Sequence, residues 1–392
     1  MQTNYALFLI HIFLSYLSFS TSPSILLLLS NPIGNAYWQQ KLWSWDPVMT
    51  PTTIVVMFLL LGIIFLPVGT SITGESNDLF QKKVVYGGNG QEIPCAVKDQ
   101  ACTVSVVIDK DMDGPLYVYY EIENFYQNNI RYSANIPWDQ LIGTKPADID
   151  ESTLETYCDP LTKNGDMTLY PCGLVANSFF NDTITLTASG STINGQSPAV
   201  TQMSSTNINL GIYEDLFKQV DGYESASVST CTPRPACSNL PSAPSDCKCY
   251  DGALTTTPYV YYYPDDDTTQ YLHETYPEII SPEEGVTNVH FKNWMNIAAL
   301  PNFLKLYGHI GGPFKKGDVL EFNVESYFDA NDFDGSKSVF VSEQYALGLP
   351  NEDLGTIYVV SGAICLVVAV IFLLKQLIAP RPIGSPATLN WK

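Results

Sequence analysis

Two long apolar stretches without charged residues lie near the two ends of the chain. The first runs from Pro47 to Gly74 and is densest at Ile54–Val68, and the second runs from Ile357 to Leu374. A bilayer core requires about 20 apolar residues of helix, and both stretches reach this length once their uncharged flanks are included. A helix also satisfies its own backbone hydrogen bonds in lipid. The pattern therefore predicts transmembrane helices at 50–72 and 355–378.

Residues 73–354 lie between the two predicted helices and form one extramembrane domain in this prediction. They hold 15 of the 19 Lys and Arg residues and 39 of the 40 Asp and Glu residues. The rest of the chain has four basic residues and one acidic residue, namely Lys41, Lys375, Arg381, Lys392 and Asp46. Because basic residues close to a span stay cytoplasmic, we expect segments 31–49 and 379–392 to be cytosolic. The acidic segment between the helices would then be luminal or extracellular.

The cysteines agree with an oxidising compartment. Cys365, in the second apolar stretch, is interpreted as a small packing residue, and the other eight of the nine cysteines lie in the acidic segment. An even number there indicates disulfides. Local spacing favours Cys95–Cys102 and Cys158–Cys172 and leaves two bridges within the remaining four. Those four are Cys231, Cys237, Cys247 and Cys249. A zinc site in this last cluster is the alternative, which the absence of a nearby His disfavours.

The chain contains one sequon, Asn181-Asp182-Thr183, in the acidic segment. A sequon marks an acceptor for N-glycosylation in a secreted or luminal domain. Its position agrees with the charge distribution and with the cysteines, so we expect Asn181 to carry a glycan.

The first 30 residues are apolar but fit no single class of segment. Tyr5–Phe19 and Ile25–Leu29 are interrupted by Pro23, and no basic region precedes them as in a signal peptide. Three interpretations remain open. The segment is a wrongly assigned start or unspliced stretch, a third membrane or re-entrant segment, or a cleaved signal.

The acidic segment has the pattern of a mainly-β domain. The predicted strands are Thr103–Ile108, Leu116–Ile122, Thr183–Thr187, Tyr259–Tyr263, Val319–Ser326 and Ser338–Ser342. We expect the first two to form a hairpin around Asp109–Gly114 and Asn296–Tyr307 to hold a short helix interrupted by Pro301. Short strands with irregular connections in a disulfide-stapled domain indicate an antiparallel sandwich with short helices. The fold class is thus a membrane protein whose two terminal helices flank a β-rich ectodomain.

One loop resembles the opening of a calcium-binding motif. Asp109-Lys110-Asp111-Met112-Asp113-Gly114 matches D-x-D-x-D-G, but Tyr120 stands where the motif needs a bidentate Glu. The flanking segments are also predicted as strands and not helices. A polar turn explains Asp and Gly here, so no metal site is predicted.

No catalytic motif is apparent. The sequence lacks G-x-S-x-G, H-E-x-x-H and a phosphate-binding loop, and its four His residues are not at metal-ligand spacing. Glu121 and Glu123 alternate along a predicted strand and are a weak candidate acid/base pair. The acidic composition argues against nucleic acid as a partner, because a phosphate backbone calls for a basic surface.

Five blocks of sequence carry a family resemblance. They read YWQQKLWSWDP at 37–47, YVYYEIENFYQNNIRY at 117–132, YPCGLVANSFFNDT at 170–183, FKNWMNIAALPNFLKLYGHI at 291–310 and DLGTIYVVSGAICLVVAVIFLL at 353–374. In this order the blocks resemble the ligand-effect-modulator family, also called the cell-division-control-protein-fifty family. Members of that family are the accessory β-subunits of type-IV P-type ATPases, the phospholipid flippases.

The resemblance implies two spans, cytosolic ends and a glycosylated ectodomain. Cys158 and Cys172 look like a family disulfide, and Asn181 looks like a family glycosylation site. Cys95 and Cys102 look like the remainder of a cysteine cluster that is often larger. The sequence departs from the family at Asn296, where Arg is frequent, in the block NLGIYEDLF at 209–217, and in the insert at 231–249. These departures bear on which ATPase is the partner.

The function implied by the resemblance is non-catalytic. Such a subunit folds with the ATPase catalytic chain as a heterodimer in the lipid membrane, helps it leave the endoplasmic reticulum and supports its transport cycle. It would reside in Golgi, endosomal or plasma membranes, and it needs no cofactor of its own. Small residues of the second span, Gly355, Ser361, Gly362 and Ala363, are expected to pack against the ATPase. The alternatives are a stand-alone surface receptor or adhesion ectodomain and, less favoured, a luminal hydrolase.

Overall fold

The computed structural model describes most of the chain as two compact units. One unit consists of the segments up to Leu79 and from Leu349, and the other is Phe80–Gly348. The first 30 residues lie outside the described part. The described residues are 36–37, 42–43, 50–88, 95, 99–188, 190–196, 203–209, 211, 215–231, 237–242, 244–346 and 348–380.

The helices and strands are numbered in chain order. The helices are α1 (Pro51–Asp78), α2 (Ile130–Ser133), α3 (Trp138–Leu141), α4 (Glu151–Cys158), α5 (Leu272–Thr275), α6 (Val289–Met295) and α7 (Glu352–Ile378). The longer strands are β1 (Gln81–Gly88), β2 (Gln100–Val107), β3 (Leu116–Glu123), β12 (Phe303–Ile310), β13 (Val319–Ser326) and β14 (Ser336–Ser342). The shorter strands are β4 (Lys163–Asn164), β5 (Met167–Tyr170), β6 (Thr183–Leu186), β7 (Met203–Ser204), β8 (Glu224–Ser227), β9 (Lys248–Tyr250), β10 (Tyr259–Tyr262) and β11 (Thr269–Tyr271).

The long terminal helices α1 and α7 are both apolar enough to cross a membrane. The Thr50 hydroxyl accepts the backbone N–H of Thr53 at 3.2 Å, and Pro51 occupies the first turn of α1, both of which favour a helix start. The Asn351 side chain caps α7 in the same way through the N–H of Leu354 at 2.8 Å. α1 ends later and α7 begins earlier than predicted, because polar residues at these ends continue the helical backbone hydrogen bonds.

The Phe80–Gly348 unit is built on two facing sheets. One has the order β1-β14-β3-β12-β7 and the other β2-β13-β6, and every pairing in both is antiparallel. Their inward side chains form one buried cluster that includes Val118 and Val339 from the first sheet and Val106 and Phe322 from the second. This arrangement confirms the predicted sandwich, in which alternate residues of each strand point into the shared core.

Two smaller three-stranded sheets flank the sandwich. Their orders are β8-β10-β9 and β11-β5-β4, and the pairing of β11 with β5 is the one parallel pair among the described strands. Between them lies a second buried cluster made largely of tyrosines, which are Tyr170, Tyr259, Tyr261, Tyr263 and Tyr271. Aromatic packing of this kind buries much apolar area while leaving the hydroxyls to hydrogen-bond.

The predicted hairpin around Asp109–Gly114 is wrong. β2 pairs with β13 over its full length, whereas β3 lies between β14 and β12 in the other sheet. The loop therefore carries the chain from one sheet to the other, and Met112 forms an isolated bridge with Phe314. The short loop between β2 and β3 favoured a hairpin. Their pairing partners are instead determined by the burial of their side chains in the core between the two sheets.

The predicted helix at Asn296–Tyr307 is also wrong. The helix present is α6, which begins earlier because the Asn288 side chain accepts the N–H groups of His290 and Phe291, both at 3.0 Å. The chain then turns through Pro301 into β12. A proline cannot supply the amide that a continued helix would need.

Candidate functional site

Small residues line the contact between α1 and α7. At seven-residue spacing, Gly62, Gly69 and Ser76 are buried on α1, and Gly355, Gly362 and Ala369 are buried on α7. A Cβ atom added to Gly69 would lie 2.7 Å from the Val359 nitrogen and 2.8 Å from the Gly355 oxygen. Backbones approach this closely only where side chains are absent or small. The two helices are therefore an antiparallel pair in close backbone contact, with Gly62 opposite Leu366 and Ser76 bonded to Asn351.

This contact corrects the expectation for the second span. Gly355 and Gly362 pack against α1 of the same chain and not on an outward face, because a Cβ on Gly362 would meet Leu66 at 3.1 Å. Ala363 is exposed and Ser361 is half-buried. Outside the pair lie large apolar side chains, including Ile63, Ile64, Ile364 and Ile371, each more than half exposed. Lipid or a partner helix would cover these outer faces.

The sandwich contains a buried ion pair next to the sequon. Asp182 Oδ2 accepts hydrogen bonds from Lys337 Nζ at 2.6 Å and from the Tyr86 hydroxyl at 2.7 Å. Its Oδ1 accepts the backbone N–H groups of Tyr327 and Phe328 at 2.7 and 2.6 Å. Both charged side chains are at most 2% exposed. A buried charge is tolerated when it is paired and its remaining lone pairs are satisfied, as both oxygens of Asp182 are.

Lys337 and Tyr86 complete this centre. Lys337 Nζ also donates to Ser326 Oγ at 2.8 Å and to the Phe328 carbonyl, and it lies 5.3 Å from the centre of the Tyr86 ring. Burial, followed by the charge of Asp182, raises the pKa of Tyr86 well above its usual value. The centre joins β1, β13 and β14, so it ties the two sheets together.

The sequon is held by its neighbours. Asn181 is half-buried, whereas Phe180 and Asp182 on either side are 3% and 2% exposed. Thr183 begins β6 and donates its hydroxyl to Glu325 Oε2 at 3.0 Å. The expected glycan at Asn181 stays a prediction.

All eight cysteines of the acidic segment are paired. The bridges are Cys95–Cys102, Cys158–Cys172, Cys231–Cys249 and Cys237–Cys247. The Cys158–Cys172 bridge ties the end of α4 to the residues after β5 and is fully buried. The Cys231–Cys249 bridge ends in β9, beside β10. Cys365 is unpaired and half-buried in α7.

His273 and Lys305 are buried, and His290 is half-buried. Burial lowers the pKa of His290, stacked on Tyr307 with ring centres 4.2 Å apart, to about 4. Burial lowers the pKa of His273, which lies among the tyrosines, also to about 4. Lys305 donates to the carbonyls of Asn293, Trp294 and Asn296 at the end of α6, and burial lowers its pKa well below the usual value.

The weak candidates for catalysis and calcium have structural roles. Lys83 bridges Glu121 and Glu123 at 2.7 and 2.6 Å, and its hydrogen bond lowers the pKa of Glu123. A lowered pKa is the opposite of what a general acid needs. Asp111 accepts the backbone N–H of Lys316 at 2.7 Å and so closes its loop. No group of three metal-ligating side chains occurs within the described ranges.

A cleft in the described part of the chain lies beside α4. It has a volume of about 610 Å³, and its ionisable lining residues are Glu151, Glu155, Lys163 and Asp265. Glu151 and Lys163 form an exposed ion pair at 2.7 Å. The lining contains no His, Cys or Ser, so the cleft holds no Ser–His or Cys–His pair of the kind that acyl transfer uses.

Sequence reasoning missed Lys337 and Lys305. Lys305 stands between two leucines and Lys337 between two serines of their strands, and the sequence analysis gave neither lysine a role. The signal was available, because a lysine on the inward face of a strand needs a buried partner. Its partner could not be named, since Asp182 lies 155 residues away in sequence.

A family model confirms the resemblance stated above. The model described as "LEM3 (ligand-effect modulator 3) family / CDC50 family" matches residues 61–382. The chain belongs to this family. The match spans α1 from its eleventh residue, the whole Phe80–Gly348 unit and all of α7.

Named relatives are similar over most of their length. The chain is 26% identical to ALA-interacting subunit 3 of Arabidopsis thaliana, covering 92% of this chain and 90% of the relative. It is 28% identical to cell cycle control protein 50A of Mus musculus, covering 87% and 88%. It is 25% identical to the phospholipid-transporting ATPase accessory subunit CRF1 of Saccharomyces cerevisiae, covering 92% and 89%.

Proposed function

We propose that this family member is the non-catalytic accessory subunit of a phospholipid-transporting type-IV P-type ATPase. The observation that carries the proposal is the family match over residues 61–382. It is joined by the relatives named ATPase accessory subunits, to which the chain is similar over nearly their full length. In this role the chain supports the folding of the catalytic subunit, its export from the endoplasmic reticulum and its transport cycle.

The names of the relatives support a non-catalytic role for this chain, because several are called accessory subunits of the ATPase. The paired carboxylates Glu121 and Glu123 are both ion-paired with Lys83, which is a structural role. Phosphoryl transfer would then take place entirely on the catalytic subunit, and this chain would act by binding it.

The proposed orientation places residues 73–354 in the lumen and both ends in the cytosol. It is supported by the acidic charge of that segment, by its four disulfides and by the basic residues near the spans. The segments 50–72 and 355–378 would cross membranes of the secretory pathway, from the endoplasmic reticulum to Golgi, endosomal or plasma membranes. The exposed isoleucines of α1 and α7 would contact lipid and the spans of the ATPase.

Co-purification in mild detergent tests the function directly. We expect a one-to-one complex with an ATPase of roughly 1,000 residues or more that survives moderate salt, because packing between membrane helices does not depend on charge. Depletion of the chain should abolish lipid transport by that ATPase and retain it in the endoplasmic reticulum. A stable, monomeric chain with no such partner, and normal flippase export after depletion, would favour the receptor alternative.

A further inference from the structure

Among the described residues, two Asn-Gly pairs lie in turns. Asn164-Gly165 begins the turn from β4 to β5, and Asn194-Gly195 lies in a turn closed by the isolated bridge between Ile193 and Gln196. All four residues of the two pairs are exposed. The glycines have φ angles of 63° and 72°, and a Cβ added to either one would meet nothing within 4 Å. Exposure, glycine conformation and crowding therefore do not distinguish the two pairs.

The Asn-Gly dipeptide can modify itself. The backbone nitrogen of the glycine attacks the side-chain carbonyl carbon of the preceding asparagine, and the asparagine loses its amide as ammonia. Glycine favours this ring closure because it has no side chain and moves freely between backbone conformations. Asparagine is accordingly one of the chemically labile residues of proteins. The reaction requires that the glycine nitrogen is free to turn toward the asparagine side chain.

A buried carboxylate holds the attacking nitrogen of the second pair. Asp318 Oδ1 accepts the N–H of Gly195 at 2.9 Å, and its Oδ2 accepts the N–H of Asn194 at 2.7 Å. Asp318 is 3% exposed and also accepts the N–H of Lys315 at 2.8 Å. Hydrogen bonds to an ionised acceptor are among the stronger ones in proteins. The Gly195 nitrogen is therefore fixed in place by the folded chain.

The first pair has no such acceptor. Within the described residues, no hydrogen bond is shown for the N–H of Gly165. Asn164 donates from Nδ2 to Gln270 at 2.8 Å, in an exposed bond that involves the leaving nitrogen and not the attacking one. β4 has two residues and lies at the edge of its sheet, and exposed segments of this kind open locally with little loss of free energy.

We propose that Asn164 deamidates spontaneously in the folded chain, and that Asp318 protects Asn194 from the same reaction. The Gly165 nitrogen forms a bond to Asn164 Cγ, the bond between Cγ and Nδ2 breaks, and Nδ2 leaves as ammonia with the proton of the Gly165 amide. Water then adds to either carbonyl carbon of the resulting succinimide ring and opens it. The product is aspartate or isoaspartate, whose carboxyl group releases its proton to solvent.

The reaction changes the end of the small β11-β5-β4 sheet. Either product adds a negative charge next to Lys163, which pairs with Glu151 at 2.7 Å in the lining of the cleft beside α4. Isoaspartate also adds a methylene group to the backbone of β4 and so displaces its pairing with β5. The charge and the shape of this surface therefore change as the chain ages.

Oxygen labelling of the purified full chain tests the proposal. The folded chain in detergent and a sample unfolded in guanidinium are incubated at neutral pH in heavy-oxygen water, and both are then digested in ordinary water at mildly acidic pH. Mass spectrometry measures labelled aspartate and isoaspartate at each pair, because only deamidation during the incubation incorporates the label. We expect Asn164 and Asn194 to react at similar rates in guanidinium. In the folded chain Asn194 should react about tenfold or more slowly than Asn164, because the Gly195 nitrogen must first leave a charged acceptor.

Two variants separate this protection from other effects. Asp318→Ala removes the acceptor and should raise the rate at Asn194 in the folded chain about tenfold, with no change at Asn164. Gln270→Ala is the matched control, since it removes a hydrogen bond from Nδ2 and leaves the attacking nitrogen as it was. It should change the rate at Asn164 by about threefold at most. Circular dichroism checks that each variant is folded.

The contrary outcomes are distinct. Equal rates at Asn164 and Asn194 in the folded wild-type chain would overturn the proposal, as would a folded chain in which neither site reacts although both react in guanidinium. A folded Asp318→Ala chain in which Asn194 stays unreactive would show that Asp318 is not the protecting group. If this variant does not fold, the comparison of the two wild-type sites decides. None of these outcomes bears on the proposed function, which does not depend on this chemistry.

Discussion

At the scale of single residues, two buried lysines on strands of the sandwich are stabilised in different ways. Lys337 faces the carboxylate of Asp182, whereas the hydrogen-bond acceptors shown for Lys305 are carbonyl oxygens at the end of α6. The last carbonyls of a helix have no intrahelical donor and carry partial negative charge. Lys305 therefore caps a helix, and Lys337 joins two sheets.

Removal of the Lys337 charge should destabilise the folded chain strongly. Lys337→Met leaves Asp182 buried without its counter-charge, which typically costs about 3–5 kcal/mol. The matched control is Lys83→Met, whose ion pairs are partly exposed and should contribute about 1 kcal/mol or less. Denaturant titration of the two purified variants checks the difference. Equal losses would contradict a special role for the buried pair.

The lowered pKa of His290 predicts a pH dependence of stability. Burial lowers the pKa of His290 from 6.5 to about 4 in the folded chain, so below pH 6.5 the unfolded chain binds the proton more readily. The stabilisation is complete above pH 6.5 and is lost as the pH falls toward 4, by up to about 3 kcal/mol. Denaturation midpoints between pH 7 and 4.5 should fall less steeply in His290→Phe than in the wild type. Parallel pH profiles would rule this out.

At the scale of elements, the helix pair depends on the absence of side chains at its contact. A Cβ on Gly69 would press on backbone atoms of α7, whereas a Cβ on Gly74, on the same helix, meets nothing within 4 Å. Gly69→Leu should therefore destabilise the pair by about 1–3 kcal/mol or more, the usual cost of overpacking. Gly74→Leu serves as the control and should behave like the wild type. Thermal denaturation in detergent distinguishes them, and similar melting of both variants would refute the close contact.

The strands show where local pattern suffices and where it does not. Val319–Ser326 alternates apolar and polar residues and is a strand with the predicted bounds. The local pattern did not predict the partner of β2, because Cys102 pairs with Val324 of a distant strand and not with a residue of nearby β3. The alternation of apolar and polar residues determines which face of a strand is buried. The sheet that the strand joins depends on packing in the whole core.

At the scale of the whole molecule, the proposed orientation predicts a single glycan and an accessible tail. Glycosidase treatment should produce one mobility shift, and Asn181→Gln should abolish it. A tag placed after Lys392 should be digested by protease added to sealed microsomes, because basic residues hold that end in the cytosol. A protected tag would contradict the two-span orientation.

The sequence by itself determined the features that depend on local composition. The apolar runs specify helices because every backbone group in lipid must find its partner within the same segment. The Cys95–Cys102 disulfide joins residues 7 positions apart, so the spacing of the cysteines alone narrows the set of possible disulfide pairings. The family blocks are continuous stretches of sequence, and the family match over 61–382 covers four of the five.

Only the tertiary structure decided the contacts between distant residues. Asp182 and Lys337 meet across 155 residues, and Gly69 meets Val359 from the other end of the chain. A buried charge needs a partner, and a close helix contact needs small residues on both helices. Neither requirement identifies the residues that meet it. That assignment follows, within each unit, from how the strands pack in the sandwich core and how α1 packs on α7, because each side chain must fit all its neighbours at once.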